Sequence, residues 1–578
     1  MIKHMKLFNN DIKQLNIGDT QGVLYNTFNC DLTYNKGKLS VAPRTRITTN
    51  TITNMGTPAA FTYFNGYYYM VAGTRLFKAS NPQDDFVEVT AGGGSPYTAP
   101  IDCDSRYSDL TVFNGNLIIS TQSRIYKMNT SEQFDLVDSS LSNAIVRPVC
   151  VYHNRLYWNR LPNTIVSCDT AWAISDTSAA SYNITLRNNL AITFLRPFTT
   201  GIYIGTITTD GTEGFVIDWN AETKNTPRFE YNIYAQGALA AYNDNRIFYT
   251  MNSNAELLKF NGSGFTITSR LPIRRNALYN ANASGSSGND RFIHMNGMTL
   301  IDGNISMLIN ATNNDGNATQ DENIHSGIWE YVEGGTLYHK YSFSYNTIGG
   351  TQTDSGQIRI KTAGALYNTP DLIGFSDVQK GNFLAGCAFY SDATTVGYGV
   401  FTDNYYDTEQ KAGFFSTVQI RTQNLEDVWQ KINTLYTPSD AMQFVWKYRT
   451  RRTEPVDFTI TWTSTTTFTT TQSGIVEGDE ITILQGKGGG RIAHVTGTPT
   501  FSSPNYTVTL DEAITGVSGT AKARLQKWKK IGIINNINRF YQEVGIGQPS
   551  TLIELKCAML VTGEATIDEI ILENKLNK

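Results

Sequence analysis

Cysteine, charge and long apolar runs are all scarce in this chain of 578 residues. The six cysteines are far apart and form no CxxC pair: Cys30, Cys103, Cys150, Cys168, Cys387 and Cys557. This spacing excludes a disulfide framework and the common zinc patterns, so we expect buried, reduced thiols. The six histidines are equally scattered and form no HExxH motif. The sequence therefore predicts no metal site and no cofactor.

Signals that direct a chain to or across a membrane are also missing. The N-terminus, MIKHMKLFNNDIKQ, lacks the apolar core of a signal peptide. No run of about 18 apolar residues occurs, so we predict no membrane-spanning segment. We expect a protein that is made in a cytoplasm and that can leave it as part of an assembly.

Charged residues make up only 17% of the chain, and the net charge is -4. This balance lacks the overall basic character of a nucleic-acid-binding protein. Local basic runs lie at 272–276, 447–455 and 522–530. We expect these runs to be solvated strand ends, and contact with a polyanion is the alternative.

Strand-forming and turn-forming residues are abundant instead. Aromatic residues reach 12%, with 31 tyrosines and 28 phenylalanines, and the chain contains 48 glycines. Aromatic and β-branched side chains suit strands, whereas Asn and Gly suit tight turns. The composition predicts an all-β protein with polar surfaces.

A hairpin-like sequence recurs along the first half of the chain. YFNGYYYMVAG (63–73) is followed by VFNGNLIISTQ (112–122), and looser copies surround His153-Asn154 and Asn243-Asp244. The aromatic anchors of successive units are 49, 39, 42 and 48 residues apart: Phe64, Phe113, Tyr152, Phe194 and Tyr242. Asn-Gly is typical of type I′ turns, in which both central residues have positive φ.

Short strands that repeat about every 40–50 residues are typical of β-propeller blades. One blade cannot bury both of its faces, whereas a closed ring of blades buries them all. Segments 326–343, 365–377 and 383–392 would complete six or seven blades. A sandwich of irregular hairpins is the alternative architecture.

The blade period ends near residue 413, and the later strands are longer. We predict four parts: an N-terminal segment (1–54), a β-propeller (55–412), a discontinuous β-sandwich (413–454 with 528–578) and an inserted small β-barrel (455–527). Alternating strands and Gly-rich turns indicate the barrel.

Three loops could be mistaken for ligand sites. GKGGGR (486–491) has its Lys before the glycines and a strand after them, so we expect a β-turn and not a phosphate-binding loop. Segment 91–100 reads as a loop between blades. The Asn-rich and Asp-rich segment 310–323 lacks the oxygen spacing of an EF-hand and reads as a solvated loop.

The sequence also contains no motif that is typical of a hydrolase. Glycosidases need paired carboxylates, but Asp84/Asp85 and Asp102/Asp104 lie in turn-like surroundings, and HSGIW (325–329) keeps only a fragment of the sialidase Asp box. No GxSxG nucleophile motif occurs. The sequence predicts a non-enzymatic protein with no catalytic, cofactor-binding or metal-binding residues.

The segment GVLYNTFNCDLTYNKGKLSVAPRTRI (22–47) resembles the start of the β-propeller proteins found in virions of tailed bacteriophages. Asn29, Gly37, Leu39 and Arg44 occupy comparable places, although Pro43 precedes the Arg instead of following it. The ending NRFYQEVGIGQPSTLIELKCAMLVTGEATIDEIIL (538–572) is similar to the closing sandwich strands of those proteins.

The resemblance implies a structural virion protein in the tail nozzle, tail hub or head-tail connector of a short-tailed phage. It implies a homo-oligomeric ring, with a hexamer expected, that contacts other tail, neck and portal proteins. DNA would pass through its channel during ejection without sequence-specific binding, and assembly would occur in the host cytoplasm. The alternatives are a distal tail adhesin that binds host-surface glycan or protein, and a propeller-type glycan hydrolase.

Overall fold

The protein is described from a computed structural model. The described residues are 2–8, 24–32, 38–82, 84–90, 99–104, 108–142, 146–175, 181–208, 213–222, 225–244, 246–271, 292–311, 326–332, 336–343, 359–369, 382–390, 396–404, 411–417, 419–421, 428–450, 456–485, 492–514, 517–550 and 552–575. Strands are the only regular elements among them, so the predicted all-β class is confirmed. These residues include no helix with the length and apolar character of a membrane span.

The strands of the N-terminal segment are β1 (Ile2–Phe8), β2 (Leu24–Phe28), β3 (Cys30–Asp31), β4 (Leu39–Val41) and β5 (Arg44–Asn50). Seven small antiparallel sheets follow, which we call ring sheets 1 to 7. Ring sheet 1 contains β6 (Pro58–Phe64), β7 (Tyr67–Ala72), β8 (Arg75–Ala79) and β9 (Val87–Glu88). Ring sheet 2 contains β10 (Asp109–Phe113), β11 (Asn116–Ser120), β12 (Ile125–Met128) and β13 (Phe134–Asp138).

Ring sheet 3 contains β14 (Val149–Tyr152), β15 (Arg155–Leu161), β16 (Thr164–Cys168), β17 (Ile174–Ser175) and β18 (Ile184–Thr185). Ring sheet 4 contains β19 (Leu190–Phe198), β20 (Gly201–Thr208), β21 (Phe215–Trp219) and β22 (Phe229–Asn232). Ring sheet 5 contains β23 (Ala238–Asn243), β24 (Phe248–Asn252), β25 (Glu256–Phe260) and β26 (Phe265–Arg270).

Ring sheet 6 contains β27 (Met298–Ile301), β28 (Asn304–Ile309), β29 (Gly327–Val332) and β30 (Thr336–Tyr341). Ring sheet 7 contains β31 (Arg359–Asn368), β32 (Phe383–Tyr390) and β33 (Val396–Asn404), and β5 from the N-terminal segment is its fourth strand.

The seven sheets close into a ring. The first strand of each sheet contacts the first strand of the next, and β31 of ring sheet 7 contacts β6 of ring sheet 1. Each pair of neighbouring sheets around the ring shares an apolar core. Phe64 and Leu117 belong to the core between ring sheets 1 and 2. Leu384 and Phe61 belong to the core between ring sheets 7 and 1. A closed ring of small antiparallel sheets is the arrangement of a β-propeller.

Four turns between the first two strands of a ring sheet have the predicted type I′ conformation. Both central residues have positive φ in the turns Asn65-Gly66, Asn114-Gly115, His153-Asn154 and Asp302-Gly303. The looser copy at Asn243-Asp244 forms a different turn, closed by a hydrogen bond from the Asp244 N–H to the Ile247 carbonyl (3.1 Å). Asn and Asp tolerate positive φ better than other non-glycine residues, which explains the recurrence of these pairs.

Two larger sheets follow the ring. Their strands are β34 (Lys411–Thr417), β35 (Ile420–Arg421), β36 (Val428–Thr437) and β37 (Ala441–Arg449), with β45 (Lys529–Ile534), β46 (Tyr541–Pro549), β47 (Leu552–Thr562) and β48 (Thr566–Lys575) from the end of the chain. Sheet A has the order β3-β4-β48-β36-β46, with β1 beside β48. Sheet B has the order β2-β34-β47-β37-β45, with β35 beside β47.

One apolar core joins sheets A and B to the ring. It contains Trp429 of sheet A, Trp446 of sheet B and Trp329 of ring sheet 6. The N-terminal segment adds to this connection, because β2 extends sheet B, β3 and β4 extend sheet A, and β5 completes ring sheet 7. Residues 1–54, predicted as one N-terminal segment, therefore supply strands to three sheets whose edges need hydrogen-bonding partners.

Residues between β37 and β45 form a separate sheet with the order β41-β40-β44-β38-β39-β43-β42, which we call the insert sheet. Its strands are β38 (Val456–Trp462), β39 (Thr467–Thr470), β40 (Glu480–Gln485), β41 (Ile492–His494), β42 (Thr500–Ser502), β43 (Asn505–Thr509) and β44 (Thr520–Gln526). A bridge between Val495 and Leu510 connects the β41 end to β43. Its apolar core, with Ile460, Phe468 and Ile481, is separate from the other cores.

Candidate functional site

A cavity of about 350 Å³ lies where the first strands of the ring sheets meet. Its lining includes residues of β6, β10, β14, β19, β27 and β31. Most of these residues are apolar, but Asp109, Arg196 and Asn296 add charged and polar groups. Small-molecule sites occupy about 300–1,000 Å³ and combine an apolar lining with a few polar groups. The cavity is therefore the first candidate site of the ring.

Asn296 links the polar groups at this cavity. Its Nδ2 donates to Asp109 Oδ1 (2.8 Å) and to the Ala59 carbonyl (3.1 Å). Its Oδ1 accepts from Arg196 Nη2 (3.1 Å), and its carbonyl accepts from the Leu366 N–H (2.8 Å). These partners belong to ring sheets 1, 2, 4 and 7, so one side chain and its backbone connect four sheets across the ring.

Arg196 and Asp109 are both held by hydrogen bonds within the ring. The guanidinium of Arg196 donates to the carbonyls of Ala241, Leu195 and Met295 at 3.0–3.1 Å. Burial lowers the pKa of Arg196 and raises the pKa of Asp109, although the nearby Arg196 charge opposes the latter shift. Cys150 also lines the cavity, but burial raises the pKa of its thiol to about 12. A protonated thiol is a poor nucleophile, so this arrangement does not support covalent catalysis.

We expect Asn296→Ala to lower the free energy of unfolding by about 2–4 kcal/mol, because buried polar groups left without a partner cost about 1–3 kcal/mol each. Asp109 and Arg196 would both lose their hydrogen bond to Asn296. Urea unfolding at neutral pH measures the change. The exposed Asn188 provides the control, since Asn188→Ala should change stability by less than about 0.5 kcal/mol. Equal effects of the two substitutions would contradict the role of Asn296.

A second polar group of residues is buried where β3 meets ring sheets 6 and 7, and we call it the Lys340 cluster. Lys340 Nζ lies 3.2 Å from Glu330 Oε2, 3.9 Å from Asp31 Oδ2 and 4.0 Å from Asp302 Oδ2. Asp403 of β33 completes the cluster, because the charges of Lys340 and Asp302 both act on its carboxyl. One amine therefore faces several carboxyl groups, and burial disfavours the charged form of a carboxyl group.

We expect Asp403 to make stability fall as pH rises through neutrality. Burial raises the pKa of its carboxyl to about 7, against about 3.9 in an unfolded chain. The Asn382 N–H (2.7 Å) and the Lys340 charge oppose this shift, the Asp302 charge adds to it, and Arg46 is the other charge that interacts with Asp403. The stabilising contribution is therefore complete below about pH 4 and is lost as pH rises through about 7.

Unfolding experiments at pH 5 and pH 8 test the assignment with Asp403→Asn, which cannot titrate. The variant should lose less stability than the natural protein between these two pH values. The same loss in both proteins would show that other groups cause the pH dependence.

Two of the predicted solvated basic runs are instead partly buried, so that prediction was wrong for them. Lys447 is 0% exposed, and its Nζ lies 2.6 Å from Glu480 Oε2. Lys556 of β47 lies 2.6 Å from Glu480 Oε1, which completes a buried triad of two lysines and one glutamate. In the second run, Arg524 is buried and pairs with Asp457 (2.6 Å). These cations are buried because the insert sheet brings carboxylates against them, as buried charges require.

Run 272–276 lies outside the described residues, as do 91–98, 312–325 and 486–491, which hold most of the three predicted loops. One carboxylate of each of the two aspartate pairs makes local hydrogen bonds. Asp84 accepts from Ser80 (2.7 Å) and Asn81 (2.9 Å), and Asp102 accepts from Thr121 (2.8 Å). Among the described residues no group of three His, Cys, Asp or Glu side chains could hold a metal ion.

All six cysteines are buried and make no disulfide, as expected for reduced thiols. The residues that sequence reasoning missed are Arg196, Asn296 and Lys340. Arg196 carried a usable signal, since it interrupts the apolar strand LAITFLRPF, and a charge inside a buried strand needs partners. Asn296 carried none, because the sequence does not show that four sheets meet around it.

Comparison with known proteins adds little to this picture. No protein-family model matches the chain, and no curated protein matches it. Among solved structures, the extracellular domain of the hybrid two-component system BT4673 from B. thetaiotaomicron is 10% identical, with a TM-score of 0.39, and the match covers 68% of this chain and 42% of that one. The N-terminal domain of Nup159 is 9% identical, with a TM-score of 0.35 and coverages of 62% and 95%. The WD40 β-propeller domain of Doa1 is 8% identical, with a TM-score of 0.37 and coverages of 62% and 96%.

Proposed function

We propose that this chain is a structural virion protein of a tailed bacteriophage. It forms part of the tail nozzle or hub, or of the head-to-tail connection, around the channel through which DNA leaves. It acts by shape and assembly and not by catalysis. Support comes from the resemblance of residues 22–47 and 538–572 and from the connections that these segments make.

The architecture that we infer is a seven-bladed propeller, a C-terminal β-sandwich and a small β-barrel inserted into it. The cyclic contacts of the first strands support seven blades, with β5 closing the last one. The shared core of sheets A and B supports the sandwich, and the Val495–Leu510 bridge supports the barrel.

The observation that carries the proposal is the position of Asn29, a residue of the resemblance pattern. Asn29 has a positive φ of 50°. Its N–H donates to His339 Nδ1 (3.2 Å), its Nδ2 donates to the Ala412 carbonyl (3.1 Å), and its Oδ1 accepts from the Ser342 N–H (2.6 Å). His339 and Ser342 belong to the end of ring sheet 6, and Ala412 belongs to sheet B. Asn29 thus helps to hold the ring and sheet B as one rigid unit, as a load-carrying virion part requires.

The partners that we propose follow from this role. Copies of the chain assemble into a ring, with a hexamer expected, that joins other tail, neck and portal proteins. A net charge of -4 is compatible with an acidic to neutral channel in which DNA slides, because such a channel avoids tight phosphate contacts.

Electron microscopy of the purified full chain tests the proposal. We expect rings with a central channel of about 20–40 Å, wide enough for duplex DNA. Monomers or trimers that bind whole host cells, with no ring at any protein concentration, would rule out the channel role.

A second candidate function is that of a distal tail adhesin, and one surface favours it. Five threonines lie in register across five adjacent strands of the insert sheet: Thr520, Thr461, Thr469, Thr507 and Thr500. Adjacent strands are about 4.8 Å apart, so these residues form a regular row of hydroxyl groups that suits an uncharged glycan. Binding to host cells that is lost in Thr461→Ala/Thr507→Ala, but kept in Thr266→Ala on ring sheet 5, would establish it.

A further inference from the structure

The Lys340 cluster brings an amine and two carboxyl groups together away from water. Lys340 and Asp31 are each 2% exposed and Glu330 is 1% exposed, whereas Asp302 at the margin is 44% exposed. Asp31 lies on β3, in the N-terminal segment, whereas Lys340 and Glu330 lie on neighbouring strands of ring sheet 6. The amine is therefore between a carboxyl group of its own sheet and one from a distant part of the chain.

The ratio of acids to amines sets this cluster apart from the buried triad in sheet B and the insert sheet. In the triad, Glu480 faces two lysines, which lower its pKa to about 2 and keep it ionised. In the Lys340 cluster one amine faces several acids, and burial raises the pKa of Glu330. Burial disfavours the charged forms of carboxyl groups and amines alike, which favours the neutral forms that an amide-forming reaction needs.

We propose that Lys340 and Asp31 become joined by an isopeptide bond that the folded chain forms by itself, with Glu330 transferring the protons. The inference goes beyond the proposed virion role and does not depend on it.

The reaction needs no reagent from outside the protein. The neutral amine of Lys340 attacks Asp31 Cγ, and the new C–N bond gives a tetrahedral intermediate. Glu330, 3.2 Å from Nζ, takes a proton from the nitrogen and gives a proton to the departing hydroxyl. The C–O bond breaks, one water molecule leaves, and a neutral amide replaces a neutral amine and a neutral carboxylic acid, so atoms and charge balance.

The geometry is close to what this step needs. Lys340 Nζ lies 3.9 Å from Asp31 Oδ2, which is bonded to the carbon under attack. The reaction requires Nζ to approach Asp31 Cγ to about 3–3.5 Å, the separation from which such reactions start. The product would link β3, a strand of sheet A, covalently to ring sheet 6.

Mass spectrometry of the unfolded full chain tests the proposal directly. We expect a mass lower than that of the sequence by one water molecule, and protease fragments in which the peptide around Asp31 is linked to the one around Lys340. Asp31→Asn should form the same amide with loss of ammonia instead of water, whereas Lys340→Arg and Glu330→Gln should keep the mass of their sequences.

The chain also supplies its own controls. The partly buried pair Lys38–Asp568 (3.1 Å) and the buried triad around Glu480 should yield only unlinked peptides. A full sequence mass for the natural protein would overturn the proposal without any variant having to fold. A link from Lys340 to Asp302 or Glu330, or loss of water at one of the control pairs, would overturn it as well.

Discussion

Replacing Glu480 by Gln is expected to lower the free energy of unfolding by about 3–5 kcal/mol, because it leaves two buried lysines without their counter-charge. Glu480 bridges Lys447 and Lys556 at 2.6 Å on each side. It also connects the insert sheet to sheet B. Urea unfolding followed by fluorescence measures the effect, and Trp528 provides a local signal because Arg449 packs over its ring (4.2 Å).

Glu477, three residues earlier and exposed, provides the matched control. Glu477→Gln should change stability by less than about 0.5 kcal/mol. The two lysines lower the pKa of Glu480 to about 2 despite burial, so its stabilising contribution is present above its ordinary value near 4.3 and is lost as pH falls towards 2. That acid sensitivity should be smaller in Glu480→Gln. A loss below about 1 kcal/mol would mean that water reaches the lysines and the triad is not closed.

Gly364→Ala is expected to cost about 3 kcal/mol or more, at the upper end of overpacking effects, because the first and last ring sheets meet at this residue. A Cβ at Gly364 would lie 2.7 Å from the Gly386 carbonyl oxygen and still closer to that of Pro58. Both obstacles are backbone atoms, which cannot move aside as a side chain can. The ring would have to open between β31 and β6, and thermal unfolding together with limited proteolysis would detect this.

Gly264 provides the control within the same ring, since a Cβ there would meet nothing within 4 Å and its φ is not in the positive range. Gly264→Ala should therefore be close to neutral. If Gly364→Ala unfolds at the same temperature as Gly264→Ala, the two sheets do not meet as closely as described.

Local chemistry made several features predictable. The pair Asn65-Gly66 predicts a type I′ turn because few residues adopt positive φ at both positions, and its φ values are 48° and 83°. Burial of the cysteines was predictable from their isolation and low polarity. The sequence repeat predicted the small sheets of the ring, since each repeat unit contains its own strands and turns.

Partners that are distant in the chain were not predictable. The basic run at Lys447 looked solvated because its counter-charge, Glu480, comes 33 residues later on another sheet. The role of Asn296 depends on four ring sheets and that of Lys340 on β3, which is more than 300 residues away. Nothing in the neighbouring residues of either side chain indicates these contacts.

The sequence by itself determined the β class, the tight turns and the repeated small sheets, because strand and turn preferences act over a few residues. Tertiary structure alone decided which strand closes the ring, where the N-terminal strands pair and which charges are buried. The physical reason is that β5 pairs with β33 and Lys340 approaches Asp31 across more than 300 intervening residues. Hydrogen bonds and ion pairs between remote strands depend on the whole fold, and no short stretch of residues encodes them.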